Sequence, residues 1–186
     1  YAASKAKGDF IFVADVDLCF NTKAVKTLYK LISDQKFYLF KLSYLKQDLN
    51  LQDLQGLNFS EADIKHHGDV NGMVLVSSQN FFKVKGYDEF YHFYGAEDID
   101  FYERLKNLGL KEEKNDETLF YHQWHRSYKN INDHILAKDP RFFNIKKINQ
   151  QHFIFHQTKK AIQPLLSQNF NKKNWHKQDE LTSKKV

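Results

Sequence analysis

The chain carries two kinds of apolar pattern, and they predict two kinds of secondary structure. Short apolar runs at 10–14 and 73–76 are typical of buried strands. At 22–33 and 97–108, apolar side chains recur every three or four positions, which predicts amphipathic helices. The predicted elements are, in chain order, strand 10–14, helix 22–33, strand 37–45, strand 73–76, a short helix capped by Ser77 or Ser78 and ended by Gly86, helix 97–108 and strand 118–121.

Strands that alternate with helices predict an α/β fold, although the strands are too few for a complete doubly wound sheet. The polar segment 46–65 has little periodicity and is predicted to be a loop or an irregular insertion. Beyond Ala137 the chain is basic and rich in Asn and Gln, with apolar positions that predict a helix docked on the body. We therefore expect a main domain over 1–137 and a basic, partly helical extension over 138–186, its last dozen residues loose.

Composition narrows the class of protein. The chain has 186 residues, with 17 Phe and 10 Tyr, enough apolar surface for a packed core. No apolar run approaches the roughly 18 residues that cross a bilayer, and no signal peptide is visible. The single cysteine, Cys19, favours a reducing compartment, so we expect a cytoplasmic protein. Because the chain opens at Tyr1 in what resembles a helix end, we also expect an N-terminal portion to precede it.

The net charge of +5 lies largely in lysines after residue 145. The favoured interpretation is a solvated, partly helical extension, since lysine runs are usually just solvated. The alternative is a peripheral contact with an anionic inner-membrane surface, where lipid-linked acceptors are found. No nucleic-acid-binding motif accompanies these lysines, so no nucleic-acid partner is expected.

Asp15 and Asp17 directly follow the apolar strand 10–14. Ligands of open α/β sheets bind at the carboxyl ends of the strands. Residues i and i+2 of an extended segment point the same way, so both carboxylates can reach one hard divalent cation, which in turn attracts phosphate oxygens. The alternative is an ordinary strand-to-turn junction, where Asp is favoured anyway.

A second acidic group opens the predicted helix at 97–108. Asp98 is a candidate general base, with Glu97 beside it, whereas Asp100 is best explained by favourable interaction with the helix dipole. The positive end of that dipole is expected to keep the pKa of Asp98 low, giving a base that is ionised but weak. The aromatic segment 90–94 suits the apolar face of a sugar ring, although ordinary packing accounts for at least half of its rings.

His122 and His125 follow the last predicted strand and could both face one metal ion. The alternative is that one histidine is exposed to solvent and the other packs on Trp124. The pair gains weight because the two aspartates lie at the end of an earlier strand.

Four segments together resemble the C-terminal half of a GT-A glycosyltransferase, most closely the beta-1,4-galactosyltransferases and their bacterial relatives of the chondroitin-polymerase type. The resemblance runs from about Gly8 to about Lys129. The segments are FVADVDL at 12–18, NGMVLVS at 71–77 with the following Phe81 or Phe82 and GYDE at 86–89, YGAEDID at 94–100, and HQWHR at 122–126. The fold implied is an N-terminally truncated GT-A fold, with a mixed sheet flanked by helices.

The resemblance implies a role for each matched residue on the donor side. Asp17, His125 and His122 would be ligands of Mn²⁺ or Mg²⁺. Asp15 would lie near the ribose of the nucleotide and the shell of the metal, and Gly72 would lie close to the donor.

On the acceptor side, the resemblance makes Asp98 the catalytic base, with Glu97 beside it on the acceptor. Tyr94 and the adjacent Gly95 would contact the acceptor sugar, with Tyr94 at the position where the family has a stacking Trp. Asn71 and Ala96 each replace a glycine of the family pattern, which leaves donor and acceptor specificity unassigned.

The implied activity is that of a metal-dependent inverting hexosyltransferase. It would move galactose or N-acetylgalactosamine from a UDP-sugar to a saccharide or lipid-linked saccharide acceptor, in the synthesis of surface polysaccharide or lipooligosaccharide. Two other hypotheses remain open. One is a non-catalytic sugar- or protein-binding module derived from a transferase fold. The other is a metal-dependent hydrolase that uses Asp15, Asp17, His122 and His125.

Overall fold

A computed structural model describes residues 2–47, 49, 59–68, 72–91, 95–125 and 140–165, and of residues 140–146 the backbone alone. The described elements are strands β1 (Phe10–Val13), β2 (Leu18–Phe20), β3 (Lys36–Leu45), β4 (Ile64–Gly68), β5 (Val74–Ser77) and β6 (Lys111–His122), helices α1 (Ala24–Lys30), α2 (Ser78–Lys83), α3 (Glu97–Asn107) and α4 (Pro140–Thr158), and 3₁₀ turns Ala2–Lys5 and Glu61–Asp63.

The described strands form one mixed sheet in the order β1-β5-β3-β6-β2, with β4 paired to the second half of β3. β5 is antiparallel to both β1 and β3, and β6 is parallel to β3. Strands β1, β3 and β6 therefore run in the same direction, and their carboxyl ends lie at one edge of the sheet. This confirms the predicted α/β class with a mixed sheet.

Both faces of the sheet are covered, because side chains of β3 alternate between two apolar clusters. Phe37 and Leu39 pack with Phe101 and Leu105 of α3 on one face. Tyr38 and Phe40 point to the other face, where the cluster includes Ala24 of α1. The helices therefore flank the sheet, as the sequence predicts.

Besides the short β2 (Leu18–Phe20), which was not predicted, two strands differ from the sequence predictions. β6 begins at Lys111 rather than at 118, because its charged first half pairs with β3 along an exposed stretch and forms the Lys36–Glu113 ion pair, N–O 2.8 Å. The segment 46–65 was expected to be irregular, yet β4 begins at Ile64 and pairs with β3. A hydrophobic pattern could not reveal either strand, since backbone pairing rather than apolar burial defines them.

Helix α4 confirms the predicted helix after Ala137, and it packs against α3. Its buried polar side chains include Asn149, His152 and His156, and His156 contacts Asp100 of α3. The Nδ2 amide of Asn107 at the end of α3 donates to the carbonyl of Ala161, just beyond α4, over 2.9 Å. In the part of the chain that the structure describes, no helix has the length and apolarity needed to cross a membrane.

Candidate metal and sugar-nucleotide site

The short strand β2 determines where Asp17 lies. Leu18 pairs with His122 at the end of β6, and the backbone N–H of Gln123 donates to the carbonyl of Asp17 over 3.0 Å. This register places Asp17 directly opposite the segment that carries His122 and His125. The aspartate and the histidines therefore meet although more than a hundred positions separate them.

Three potential ligand atoms converge at this point. Asp17 Oδ2 lies 3.3 Å from His122 Nε2 and 3.2 Å from His125 Nε2. Two atoms that each lie about 2.1 Å from a shared ion are roughly 3.0–3.4 Å apart, depending on the coordination geometry. The distances among the three side chains thus suit ligands of one metal ion.

The second carboxylate oxygen of Asp17 supports the same conclusion. Asp17 Oδ1 is buried and has no hydrogen-bond partner among the described residues. A buried carboxylate oxygen without a partner is costly, and a bound cation would satisfy it. One carboxylate and two imidazoles form a mixed oxygen and nitrogen set, which fits Mn²⁺ better than the oxygen-preferring Mg²⁺.

Asp15 lies beside this group and against Gly72. The φ of Gly72 is +115°, a backbone conformation that favours glycine, and a Cβ atom added there would make a tight 3.2 Å contact with Asp15 Oδ2. The N–H of Gly72 donates to the hydroxyl of Tyr102 on α3 over 3.0 Å. Partial burial of its carboxyl group and then the nearby charge of Asp17 raise the pKa of Asp15, while His122 opposes the rise.

Asp98 extends the acidic group from the first turn of α3. Burial, the Glu97 carboxylate and the Asp15 carboxylate, in that order, raise the pKa of Asp98 to about 7. The expectation of a low pKa was wrong, because desolvation and two like charges outweigh the helix dipole. A pKa near 7 suits a general base, which must be ionised and still accept a proton.

The carboxylate of Glu97 turns back onto the backbone, where its Oε2 accepts the N–H of Gly95 over 2.8 Å. This bond holds the glycine that precedes α3, with its φ of +106°. Of the residues expected on the acceptor side, the structure places Glu97 and Gly95 beside Asp98. Tyr94, the candidate acceptor contact, lies outside the described residues.

Sequence reasoning missed two aromatic residues that shape the site. Tyr102 lies one helical turn after Asp98 and fixes Gly72, as i and i+4 share a helix face. The ring of Tyr44 lies 5.0 Å from that of His122, so His122 packs on a β3 residue. The spacing of Asp98 and Tyr102 was a usable signal, whereas the Tyr44 contact depends on the β3–β6 register.

A cleft of about 280 Å³ lies between α3 and the β3–β6 pair, and its lining includes Ile99 and Tyr102. Neither the aspartates nor the histidines of the site line this cleft. The candidate site is therefore defined by its converging side chains and not by this cleft.

Residues 56–126 match the sequence profile of a family described as the N-terminal domain of galactosyltransferase. The match supports a galactosyltransferase-like family. The matched range includes Gly72, Asp98, His122 and His125, while Asp15 and Asp17 precede it. Comparison with curated proteins finds no match. The chain thus carries a domain of a type that suggests glycosyltransferase activity, on a mixed α/β fold that fits a nucleotide-sugar transferase.

Proposed function

We propose that this protein is a metal-dependent inverting hexosyltransferase with a GT-A fold. It transfers galactose or N-acetylgalactosamine from a UDP-sugar to a saccharide acceptor, in cytoplasmic synthesis of surface polysaccharide or lipooligosaccharide. The observation that carries the proposal is the meeting of Asp17, His122 and His125 next to Asp15 and Asp98, in a chain that also matches a galactosyltransferase domain.

Asp17, His122 and His125 would hold Mn²⁺, which when bound supplies positive charge that stabilises the departing diphosphate. The supporting observations are the 3.2 Å and 3.3 Å separations of the ligand atoms and the unpartnered Asp17 Oδ1. Asp15 would then face the donor side of the same site, where it lies against Gly72.

Asp98 acts as the general base. Its carboxylate accepts the proton of the acceptor hydroxyl while that oxygen forms a bond to the anomeric carbon. Attack comes from the face opposite the diphosphate, the bond from the anomeric carbon to the diphosphate oxygen breaks, and UDP leaves with the electron pair. The configuration at the anomeric carbon is therefore inverted. Glu97 and Gly95 shape the entry of α3 beside the acceptor.

Transfer assays on the full-length enzyme test this function. With UDP-galactose or UDP-N-acetylgalactosamine and Mn²⁺, Asp17→Ala and Asp98→Asn should each reduce transfer by at least about 10³-fold. Asp34→Asn, at an exposed position remote from the site, is the matched control and should retain full activity. Full activity in Asp98→Asn would reject the assigned base, and full activity in Asp17→Ala would reject the metal site.

A further inference from the structure

A second cluster of one aspartate and two histidines lies where α4 packs on the domain. Asp88, His152 and His156 are all buried and offer ligand atoms within 4.8 Å of one another. The two histidines are four residues apart on α4, a spacing that places both on one helix face. This composition matches that of the candidate metal site, and it raises the question of a second metal centre.

The distances favour a hydrogen-bonded network over a metal centre. His152 Nε2 lies 2.7 Å from Asp88 Oδ2, whereas two ligands of one zinc ion are roughly 3.3 Å apart. His156 Nε2 accepts the backbone N–H of Leu165 over 3.2 Å. Asp88 Oδ1 accepts the N–H of Phe90 over 3.0 Å. Each of these atoms therefore has a hydrogen-bond partner already.

The same network holds Asp100, the residue that the sequence assigned only to the helix dipole. Because His156 Nε2 accepts a hydrogen bond, its Nδ1 carries the proton and donates to Asp100 Oδ1 over 2.6 Å. Arg104 Nε donates to the other oxygen of Asp100 over 2.8 Å. Burial alone would raise the pKa of Asp100, but the bond from His156 and the charge of Arg104 outweigh it and hold the pKa below its usual value.

The first turn of α3 depends on such support. It is entered through Gly95 at φ +106° and Ala96 at φ +74°, and no side chain caps it. An alanine in the left-handed region is disfavoured and persists only where the surroundings hold it. The buried Asp100 provides that hold, and Asp98 lies on the same turn.

We propose, on the basis of the transferase function above, that His156 is a positioning residue for the reaction. By holding Asp100, it fixes the first turn of α3 and so places Asp98 at the acceptor hydroxyl. His152, one turn earlier on α4, packs its ring against that of His156, with the ring centroids 4.2 Å apart. The contact of His156 with α3 thus contributes to the geometry of catalysis, although none of the described residues of α4 lies in the site.

Three variants test this role: His156→Ala, His156→Asn and the control Gln151→Ala, an exposed position on the same helix. The amide nitrogen of Asn can occupy the place of Nδ1 and donate to Asp100. At a temperature where circular dichroism shows each variant folded, His156→Ala should lower kcat by roughly 10- to 100-fold with the donor KM changed less than about twofold. His156→Asn should recover most of kcat, and Gln151→Ala should match the wild type. If His156→Ala does not fold, His156→Gln takes its place in the comparison. The side-chain amide of Gln reaches the position of Nε2 rather than that of Nδ1, so this variant also lacks the bond to Asp100.

Equal kcat values in the wild type and His156→Ala, or equal losses in the Ala and Asn variants, would overturn the positioning role. A carboxyl ¹³C NMR titration of Asp98 without metal or donor separates this result from the failure of the proposed function. Its midpoint should move toward that of an ordinary aspartate in His156→Ala and return in His156→Asn, whether or not the chain transfers sugar. An unmoved midpoint, or a metal ion found by elemental analysis that His156→Ala loses, would contradict the proposal.

Discussion

Replacing Asp98 by Asn should stabilise the protein, and by an amount that grows with pH. The pKa of Asp98 rises from 3.8 to about 7 on folding, chiefly through burial. The folded state thus keeps a proton that the unfolded state loses between these values, so stability falls as pH rises from about 4 to about 7 and is then level. Asn resembles the neutral, protonated aspartate and does not ionise, so the stability of the Asn variant does not fall in this way as pH rises.

The size of the effect follows from the shift. Each pKa unit corresponds to about 1.4 kcal/mol, so the full cost of ionising Asp98 is about 4 kcal/mol. Between pH 5 and pH 8, stability changes only up to the folded-state pKa of about 7, so roughly two units of the shift contribute to the difference. Allowing for the partial exposure of the side chain, Asp98→Asn should gain about 2 kcal/mol more stability at pH 8 than at pH 5. For a chain of this size that is roughly 4–8 °C in Tm.

Urea unfolding of metal-free protein at pH 5 and pH 8 measures this difference directly. Asp34→Asn, which removes an exposed carboxylate, serves as the matched control and should show no comparable dependence on pH. The same gain at both pH values, or a loss of stability at pH 8, would refute the conclusion that Asp98 is held in a desolvating, negatively charged environment.

Three further predictions concern the surroundings of the site. Glu97→Gln removes the second largest cause of the raised pKa of Asp98. The acidic limb of the pH profile of kcat/KM should therefore move to lower pH by roughly half a unit to one unit. An unmoved limb would contradict the electrostatic effect of Glu97 on Asp98. Gly72→Ala should destabilise the protein by about 1–2 kcal/mol in thermal unfolding, because residue 72 has φ +115° and the new Cβ would lie 3.2 Å from Asp15 Oδ2. An unchanged Tm would contradict the positive φ at this position. Because solvation is the favoured interpretation of the basic extension, removal of 166–186 should leave the sedimentation of the protein with anionic liposomes unchanged. A loss of sedimentation would show the alternative, a membrane contact.

The sequence was sufficient for the main contacts of the candidate site. Aspartates at the end of one apolar strand and histidines at the end of another were expected to share an ion, and parallel strands whose carboxyl ends lie at one edge bring them together. The detail that places Asp17 opposite His122 is the three-residue strand β2. Such a short strand has no pattern of its own and exists because it pairs with β6.

The electrostatics of the site could not be predicted from sequence. The pKa of Asp98 depends chiefly on tertiary burial and also on Asp15, which is distant in the chain, whereas only the helix dipole and the adjacent Glu97 are visible locally. Asp100 shows the same limit, since its partner His156 lies on α4, 56 positions away. Local patterns identified which residues carry charge, and long-range contacts decided what those charges do.

Binding of Mn²⁺ tests the central claim most directly. Titration of the chain with Mn²⁺ in the presence of UDP, followed by the loss of the electron paramagnetic resonance signal of the free ion, should show one site per chain. Asp17→Asn and His125→Ala should each weaken that site by at least about tenfold, and Asp34→Asn should not change it. Equal Mn²⁺ affinity in the wild type, Asp17→Asn and His125→Ala would contradict the account.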